Sequence, residues 1–210
     1  MTEDSPVRDT YDRIAGIYDL YTAPMDAMGG SMARARLFGR ASGKVLELGI
    51  GTGANLRFYS PDVDLSGVDI SPRMLARARR RADRLGRAVT LEVADIERLP
   101  YPDGSFDTVS AACVFCSVAD PVRGLREAAR VTRRGGQILL YEHVRPTNRL
   151  LGQLADWASP WTRRAFGPEL NRHTESNVVV AGLKIIESRS SGIWREIVAT
   201  PQDLDAPYPA

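Results

Sequence analysis

Short apolar runs alternate along the middle of the chain with longer segments whose apolar residues recur at helical spacing. The apolar runs predict five strands, at residues 44–48, 64–70, 88–93, 106–112 and 137–141. The longer segments predict helices at residues 71–85 and 121–133. Strands that alternate with helices in this way are typical of an α/β fold with a parallel sheet.

The two ends of the chain show different patterns. Tyr11, Ile14, Tyr18 and Tyr21 recur at steps of three or four and predict one helical face, which Pro24 interrupts before a second helix at 25–38. Near the other end, residues 183–188 and 193–200 flank a short polar link and predict an antiparallel hairpin. The hairpin brings the predicted sheet to seven strands and closes it with an antiparallel strand.

This pattern divides the chain into a helical cap, a core and a tail. We expect the cap at residues 1–43, the core at 44–200 and a flexible proline-containing tail at 201–210. An insertion at about 145–175 interrupts the core. Its apolar residues Leu150, Leu154, Trp157 and Trp161 share one helical face. We expect this segment to pack over the site, to contact a membrane through Arg149–Arg164, or to do both.

Composition and charge limit the kinds of protein that this chain can be. The chain has 210 residues, 43% hydrophobic and 26% charged, which suits one domain. A formal net charge of +2 gives no overall electrostatic reason to expect a nucleic-acid partner, and nothing in the sequence indicates an obligatory protein partner. The absence of a signal-peptide pattern or an apolar run of about 20 residues predicts a cytoplasmic protein, with peripheral membrane contact as the alternative.

A glycine-rich loop follows the first predicted strand. Gly49, Gly51 and Gly53 alternate there, so main-chain N–H groups can approach an anionic or polar ligand closely. Gly49, Gly51 and Ala54 also satisfy the dinucleotide pattern G-x-G-x-x-G/A, which keeps an NAD-dependent oxidoreductase as an alternative. The closing antiparallel hairpin argues against that alternative.

Acidic residues mark successive strand ends near this loop. Glu47 precedes the loop, Asp69 ends the second strand and Asp95 follows the third. Ligands of parallel α/β sheets bind beyond the carboxyl ends of the strands, where a carboxylate can accept hydrogen bonds from ribose hydroxyls. The sequence therefore predicts a ribose-containing ligand at this edge.

The motif Glu47-x-Gly-x-Gly-x-Gly, the run from Val68 to Met74 and the run Ala94-Asp95-Ile96 together resemble the class I S-adenosylmethionine-dependent methyltransferases. The resemblance spans residues 11 to about 143. It implies a doubly wound, Rossmann-like α/β sheet and S-adenosyl-L-methionine as the cofactor. It also implies that the loop glycines pass beside the methionine part, that Asp69 holds the ribose, that Met74 and Ile96 sandwich adenine and that Asp95 supports the adenine amino group. Further residues expected at the cofactor are Glu47, Asn55, Ile70 and Cys113.

Other motifs resemble particular branches of this family. The leader from Tyr11 to Asp19 and the run from Asp95 to Asp107 resemble the ubiquinone and menaquinone methyltransferase branch, which includes bacterial phospholipid N-methyltransferases. Short matches at Cys116-Ser117-Val118 and Glu142-His143-Val144 are similar to thiol methyltransferases. The expected acceptor is a small or lipid-like molecule, with the amine of phosphatidylethanolamine first and a thiol or quinone ring next. A non-catalytic protein that binds an adenosyl ligand is the alternative from another class.

Two residues are candidates for the chemistry. Tyr18 can cover the methionine end of the cofactor, or it is a core contact of its helix. His143 follows an apolar strand and is the candidate general base, because an imidazole can accept a proton near neutral pH. The alternative is a structural histidine whose hydrogen bonds are satisfied within the fold. Cys113 and Cys116 have redox-motif spacing, but we expect buried thiols, and no metal site is predicted.

Overall fold

The computed structural model describes residues 6–146, 148–166 and 168–202, apart from the side chains of residues 21 and 163–166. One sheet contains seven strands in the order β3-β2-β1-β4-β5-β7-β6. The strands are β1 Lys44–Leu48, β2 Asp64–Asp69, β3 Thr90–Val93, β4 Phe106–Ala112, β5 Thr132–His143, β6 Leu183–Ser191 and β7 Trp194–Pro201. Most of the predicted tail, at residues 203–210, lies outside the described residues.

The sheet has the predicted topology. Strands β1 to β5 pair in parallel, and β7 inserts antiparallel between β5 and β6. Strand β1 has β2 on one side and β4 on the other, so the chain winds outward in both directions from β1. The doubly wound sheet and its closing antiparallel strand are confirmed.

Within the described ranges, seven α-helices accompany the sheet: α1 Pro6–Ile14, α2 Tyr18–Met25, α3 Ser31–Phe38, α4 Pro72–Leu85, α5 Pro121–Val131, α6 Arg149–Phe166 and α7 Thr174–Val180. Two clusters of buried hydrophobic residues each include residues from two of these helices. One cluster includes α5 and α7 residues, and the other includes α3 and α4 residues. None of the helices within the described ranges combines the length and apolar character that crossing a bilayer requires.

Alternation along the strands explains why the core has two layers. In β1, Leu46 belongs to the first cluster and Val45 to the second, and in β5 the neighbours Ile138 and Leu139 divide in the same way. Successive side chains of a strand point to opposite faces of a sheet. A strand covered by helices on both faces is therefore apolar at nearly every position, which is how these runs appear in the sequence.

The cap is organised differently from the prediction. Helix α1 ends at Ile14 and α2 begins at Tyr18, so the expected continuous face is broken at Gly16. Pro24 does not end a helix: α2 continues to Met25 and leads into a π-helical turn, Asp26–Gly30. Tyr21, the last member of the predicted face, has a side chain outside the described set. Tertiary contacts of α1 and α2, described below, account for the change of direction.

The insertion also departs from the prediction. Helix α6 continues through Pro160 to Phe166, because Pro160 is exposed on the helix and the carbonyl group that loses its partner can bond to water. The helix buries Ala155 and Ser159 and leaves Trp157 and Trp161 each 70% exposed. Packing of the tryptophan face over the site, one of the two alternatives, is therefore wrong.

Ser71, the N-cap residue of α4, joins the N-terminal helical cap to the core, and its substitution tests this connection. Ser71 is fully buried, accepts a hydrogen bond from the Met74 N–H at 3.1 Å and donates one to Asp12 of α1. We expect Ser71→Ala to lower the free energy of unfolding by about 1–2 kcal/mol, as measured by urea denaturation, because both bonds are lost. The control Ser190→Ala, at an exposed position of β6, should change it by less than about 0.5 kcal/mol. Equal effects of the two substitutions would contradict this role of Ser71.

Candidate active site

The glycine loop leaves β1 where the carboxyl ends of the parallel strands meet. Gly49 and Gly51 both have a φ of +57°, a conformation that a side chain disfavours. A Cβ atom at Gly49 would lie 2.6 Å from Cγ2 of Val114 in the segment after β4. The loop therefore requires glycine both for its backbone angle and for its close approach to the neighbouring segment.

Asp69 holds this loop from the end of β2. Its Oδ2 atom accepts the Gly51 N–H at 2.9 Å, and its Oδ1 atom accepts the Ser71 N–H at 2.8 Å. The residue is 8% exposed, and burial raises the pKa of its carboxyl group to about 6 against the lowering effect of the two backbone bonds. Asp69 is thus a buried acceptor fixed at the sheet edge.

A cavity at this edge, named here the Asp69 cavity, contains most of the residues predicted to bind the cofactor. Its lining includes Tyr18, Gly49, Gly51, Asp69, Ile70, Met74, Asp95, Ile96 and Cys113. These residues come from the cap, the glycine loop, α4 and the segments after β2, β3 and β4. The structure therefore brings together residues that are far apart in the sequence.

Three of the residues predicted to bind the cofactor, namely Glu47, Gly53 and Asn55, do not line the Asp69 cavity. Gly53 has a φ of +76°, and a Cβ atom there would lie 3.2 Å from Cα of Ala78, so this glycine permits close packing against α4. Glu47 is 1% exposed, and its Oε1 atom accepts a hydrogen bond from Nδ2 of Asn55 at 2.6 Å. Burial raises the pKa of Glu47 to about 7. Glu47 and Asn55 thus form a buried pair beneath the loop.

A second cavity, named here the His143 cavity, lies on the other side of the loop. Asn55 lines it together with His143, and its apolar lining includes Met25, Ile50, Leu170 and Trp194. Both cavities share five lining residues, namely Tyr18, Gly49, Gly51, Ala112 and Cys113. We call these five residues the common wall.

The two candidates for the chemistry occupy different positions. Tyr18 belongs to the common wall and packs with Tyr11 at a centroid distance of 6.1 Å. His143 is 7% exposed and contacts the ring of Trp194 edge-on, with centroids 5.9 Å apart. Burial lowers the pKa of His143 to about 4, so its imidazole is uncharged near neutral pH.

Cys113 has an unusual backbone conformation within the common wall. Its φ of 55° is the one positive value of a non-glycine residue among the described residues. Desolvation raises the pKa of its thiol. Cys116 is buried as predicted, whereas Cys113 is only partly buried. The left-handed conformation turns the chain at the end of β4 and directs the following residues along the Asp69 cavity.

A buried carboxylate at the end of β5 supports this turn. The Oε1 atom of Glu142 accepts the Val114 N–H at 2.8 Å and the Phe115 N–H at 3.1 Å. Glu142 is fully buried, and burial raises its pKa to about 7. The segment that lines the Asp69 cavity after β4 is therefore held from beneath by β5.

Two aspartates attach the cap to the core. Asp12 accepts hydrogen bonds from the Ser71 hydroxyl and from the Arg73 N–H at 3.2 Å, at the start of α4. Asp19 accepts a bond from the Thr52 hydroxyl at 2.6 Å and pairs with Arg81 of α4 at 2.6 Å. Asp12 fixes α1 and Asp19 fixes α2 at different places on the core, which explains why the two helices do not form one straight helix.

Sequence reasoning missed several lining residues. The sequence predicts Tyr11 on a helical face, but it does not predict the hydrogen bond between the Tyr11 hydroxyl and Oγ of Ser117, which are 2.6 Å apart. Both residues line the Asp69 cavity. Trp194 and Arg34 of the His143 cavity were also missed. No local pattern distinguishes Arg34 from the other arginines of the cap. Among the described residues, no group of three or more His, Cys, Asp or Glu side chains could hold a metal ion.

Comparison with known proteins agrees with this geometry. Residues 46–140 match the family model described as a methyltransferase domain. The chain is 42% identical over 103 residues to the phosphatidylethanolamine N-methyltransferase of Cereibacter sphaeroides. This alignment covers 48% of this chain and 51% of that protein. The chain is 37% identical over 135 residues to the human thiol S-methyltransferase TMT1B, covering 61% and 52%. The chain thus spans about half the length of these two relatives.

A longer alignment and a solved structure extend the comparison. The chain is 34% identical over 168 residues to a ubiquinone/menaquinone biosynthesis C-methyltransferase of Hahella chejuensis, covering 72% of this chain and 68% of that protein. A SAM-dependent methyltransferase of Thermotoga maritima, described as a possible histamine N-methyltransferase, superposes with a TM-score of 0.71 at 20% identity, covering 92% and 99% of the two chains. At that identity the superposition shows the fold alone. The glycine loop, the sheet topology and these alignments together establish that the chain belongs to the class I S-adenosylmethionine-dependent methyltransferases.

Proposed function

We propose that this chain transfers a methyl group from S-adenosylmethionine, bound in the Asp69 cavity, to an apolar or lipid-like acceptor bound in the His143 cavity. The observation that carries this proposal is the common wall, because a methyl group can pass directly between two cavities that meet there. Transfer of a labelled methyl group from the donor into panels of lipids and thiols tests it. Donor binding without transfer to any acceptor would instead support a non-catalytic adenosyl-binding protein.

The residues of the Asp69 cavity suit an adenosyl ligand. The Asp69 carboxylate has both oxygens already fixed by backbone N–H groups, so its remaining lone pairs are held ready for the ribose hydroxyls. Met74 and Ile96 supply apolar surface for a purine ring, and Asp95 is partly exposed beside them as an acceptor for the adenine amino group. Glu47 does not line the cavity, and we assign it the role of supporting the loop through Asn55.

The reaction makes few demands on side chains. When bound, S-adenosylmethionine supplies an electrophilic methyl group on a sulfonium. The protein must align the acceptor, exclude water and leave the nucleophile without its proton. Tyr18 separates the two ligands from solvent on the cap side, and Cys113 contributes the opposite part of the common wall.

His143 is the proposed proton acceptor. It lines the acceptor cavity, and because its pKa is lowered to about 4, its imidazole has a free lone pair at neutral pH. The same low pKa makes His143 a weak base. It therefore removes a proton efficiently only from an acceptor whose resulting anion is stabilised by its surroundings, because alkyl thiols, phenols and alkylammonium groups have similar acidity in water.

The relatives give three candidate acceptors, which the sequence analysis also named. Their names describe methylation of phosphatidylethanolamine, of a quinone precursor and of a thiol. All three acceptor types combine a reactive group with an apolar body. The apolar side chains of the His143 cavity, such as Met25, Ile50 and Trp194, suit such a body.

An exposed apolar surface on α6, named here the α6 face, supports contact with a membrane. The face consists of Leu150, Leu151, Leu154, Trp157 and Trp161, each between 56% and 76% exposed. Arg149 lies exposed at its start, and tryptophan with arginine suits the boundary between headgroups and acyl chains. Because α6 also packs against α1 of the cap, membrane contact would place the cavities near the lipid that supplies or dissolves the acceptor.

The role of Asp69 predicts a pH dependence of donor binding. The ribose hydroxyls require the ionised carboxylate, and this group has a pKa of about 6 in the free protein. The affinity for S-adenosylhomocysteine, measured by calorimetry, should therefore rise from pH 5 to pH 7, by about tenfold per pH unit below 6. Asp69→Asn should remove this rise and weaken binding by about tenfold or more, whereas Asp62→Asn at an exposed position should do neither. An unchanged pH profile in Asp69→Asn would contradict the assignment.

The role of His143 predicts a selective loss of turnover. His143→Asn should lower kcat by about 100-fold or more at saturating donor while leaving the affinity for S-adenosylhomocysteine unchanged. Activity should recover at higher pH, where the acceptor ionises without assistance. The second histidine of the chain, His173, is outside both cavities and provides the control His173→Asn. Wild-type turnover in His143→Asn would show that His143 is not the base.

The α6 face predicts binding to lipid surfaces. We expect the protein to sediment with anionic vesicles at low salt, and the double substitution Trp157→Ala/Trp161→Ala to weaken this binding by at least about tenfold. Val179 and Val180 of α7 are 58% and 61% exposed, so Val179→Ala/Val180→Ala is a matched control. No sedimentation of the unsubstituted protein would remove the membrane proposal.

A further inference from the structure

The His143 cavity contains a buried arginine. Among its described lining residues, Arg34 of α3 is the one side chain that carries a charge near neutral pH, since His143 is uncharged there. Arg34 is only 3% exposed, whereas arginine side chains usually reach solvent. A buried guanidinium among lining residues that are otherwise uncharged points to an electrostatic role in the cavity.

The surroundings of Arg34 fix its position but leave part of it available. Its Nη1 atom donates to Oδ1 of Asn55 at 2.8 Å, its Nη2 atom donates to Asp26, and its Nε atom donates to the Gly30 carbonyl at 3.4 Å. The guanidinium also lies 5.5 Å from the centroid of the Phe58 ring. These bonds use three of the five N–H groups of an arginine side chain. The remaining donors can serve a ligand.

The charge balance within the cavity is asymmetric. Asp26 neutralises Arg34 in the free protein, but Asp26 does not line the cavity. The described lining includes no carboxylate at all. A cationic group on an acceptor would therefore lose its water shell next to a guanidinium and gain no carboxylate partner within the cavity.

The field of Arg34 reaches the common wall. Burial, followed by the Glu142 carboxylate, raises the pKa of the Cys113 thiol, and the charge of Arg34 opposes this increase. Burial likewise raises the pKa of Tyr141 to about 12, again with Arg34 acting in the opposite direction. Arg34 thus lowers the cost of a negative charge at the common wall, against the opposing effects of burial, Glu142 and Asp26.

We propose that Arg34 makes the His143 cavity selective for acceptors that react as anions, such as thiols, phenols and enols, over amines. This inference rests on the proposed function, because it assigns the acceptor to the same cavity. It reverses the order expected from the sequence, in which the amine of phosphatidylethanolamine came first. Arg34 acts as a specificity-determining residue that binds the acceptor or its developing anion through the free N–H groups.

The balance of charge in the reaction favours this selection. An acceptor thiol, phenol or enol first gives its proton to His143 or to solvent. The acceptor atom then forms a bond to the methyl carbon, while the bond from that carbon to the donor sulfur breaks and leaves its electron pair on sulfur. One negative and one positive charge disappear together. An amine instead becomes a methylammonium and keeps a positive charge beside Arg34, which is unfavourable in a poorly hydrated cavity.

Binding can be measured independently of catalysis. The chain has three tryptophans, and Trp157→Phe/Trp161→Phe leaves Trp194 of the His143 cavity as the only fluorophore of this type. With S-adenosylhomocysteine bound, this variant is titrated with octanoate and with octylammonium, which have the same chain length and opposite charges. We expect Trp194 fluorescence to respond to octanoate at concentrations about tenfold lower or more than to octylammonium.

Substitutions then test whether Arg34 is responsible. Arg34→Met should abolish the preference for octanoate. Since this change leaves Asp26 without its partner, Arg34→Met/Asp26→Asn provides a variant in which the buried pair is neutralised together. Arg57 is exposed and contacts the same Phe58 ring at 4.7 Å from outside the cavity, so Arg57→Met should keep the preference. Both Arg34 variants are used only if their unfolding in urea remains cooperative.

Methyl transfer provides the second measurement. At pH 7 we expect labelled methyl transfer to octanethiol to exceed transfer to octylamine by at least about tenfold, and the double variant to lose this difference. Equal or faster transfer to octylamine, tighter binding of octylammonium, or an unchanged preference in the double variant would each overturn the inference. So would failure of both probes to change Trp194 fluorescence. The proposed function itself fails only if S-adenosylhomocysteine does not bind or if no acceptor of any charge is methylated.

Discussion

The close approach of two backbone segments at the carboxyl end of β1 is the constraint on which the rest of the site depends. Gly49 lies against Val114, and neither its backbone angle nor the available space admits a side chain. Because β1 lies between β2 and β4, the segments that follow β2 and β4 diverge on either side of β1, and a crevice opens between them. The Asp69 cavity occupies that crevice, and its walls consist largely of backbone held by buried carboxylates.

Those carboxylates form a supporting layer beneath the ligand surface. Asp69 fixes the loop at Gly51, Glu47 fixes it through Asn55, and Glu142 fixes the segment after β4. Burial raises the pKa of all three, so each is held in surroundings that disfavour its charge. The Oε2 atoms of Glu47 and Glu142 have no hydrogen-bond partner among the described residues. The site therefore combines strict geometry with low polarity, the conditions under which a reaction that eliminates opposite charges gains most.

The cap contributes to both cavities at once. Tyr18 belongs to the common wall, and neighbouring Asp19 attaches the same helix to the glycine loop through Thr52. Arg34, from the helix that follows, lines the His143 cavity. A displacement of the cap would therefore alter both cavities.

The sequence by itself determined the sheet, the order of its strands and helices along the chain, and most of the lining of the Asp69 cavity. Apolar runs show buried strands directly, and residues such as Asp69 and Asp95 stand at fixed positions relative to strand ends, so local pattern was sufficient. It did not determine the division of the cap, the exposure of the α6 face or the position of Arg34. Each of these depends on contacts between distant segments, such as Asp12 with Ser71, Asp19 with Arg81 and Arg34 with Asn55. Periodicity reports which residues of a helix share a face, but only the packed structure decides what that face meets, because the partner is supplied by a different part of the chain.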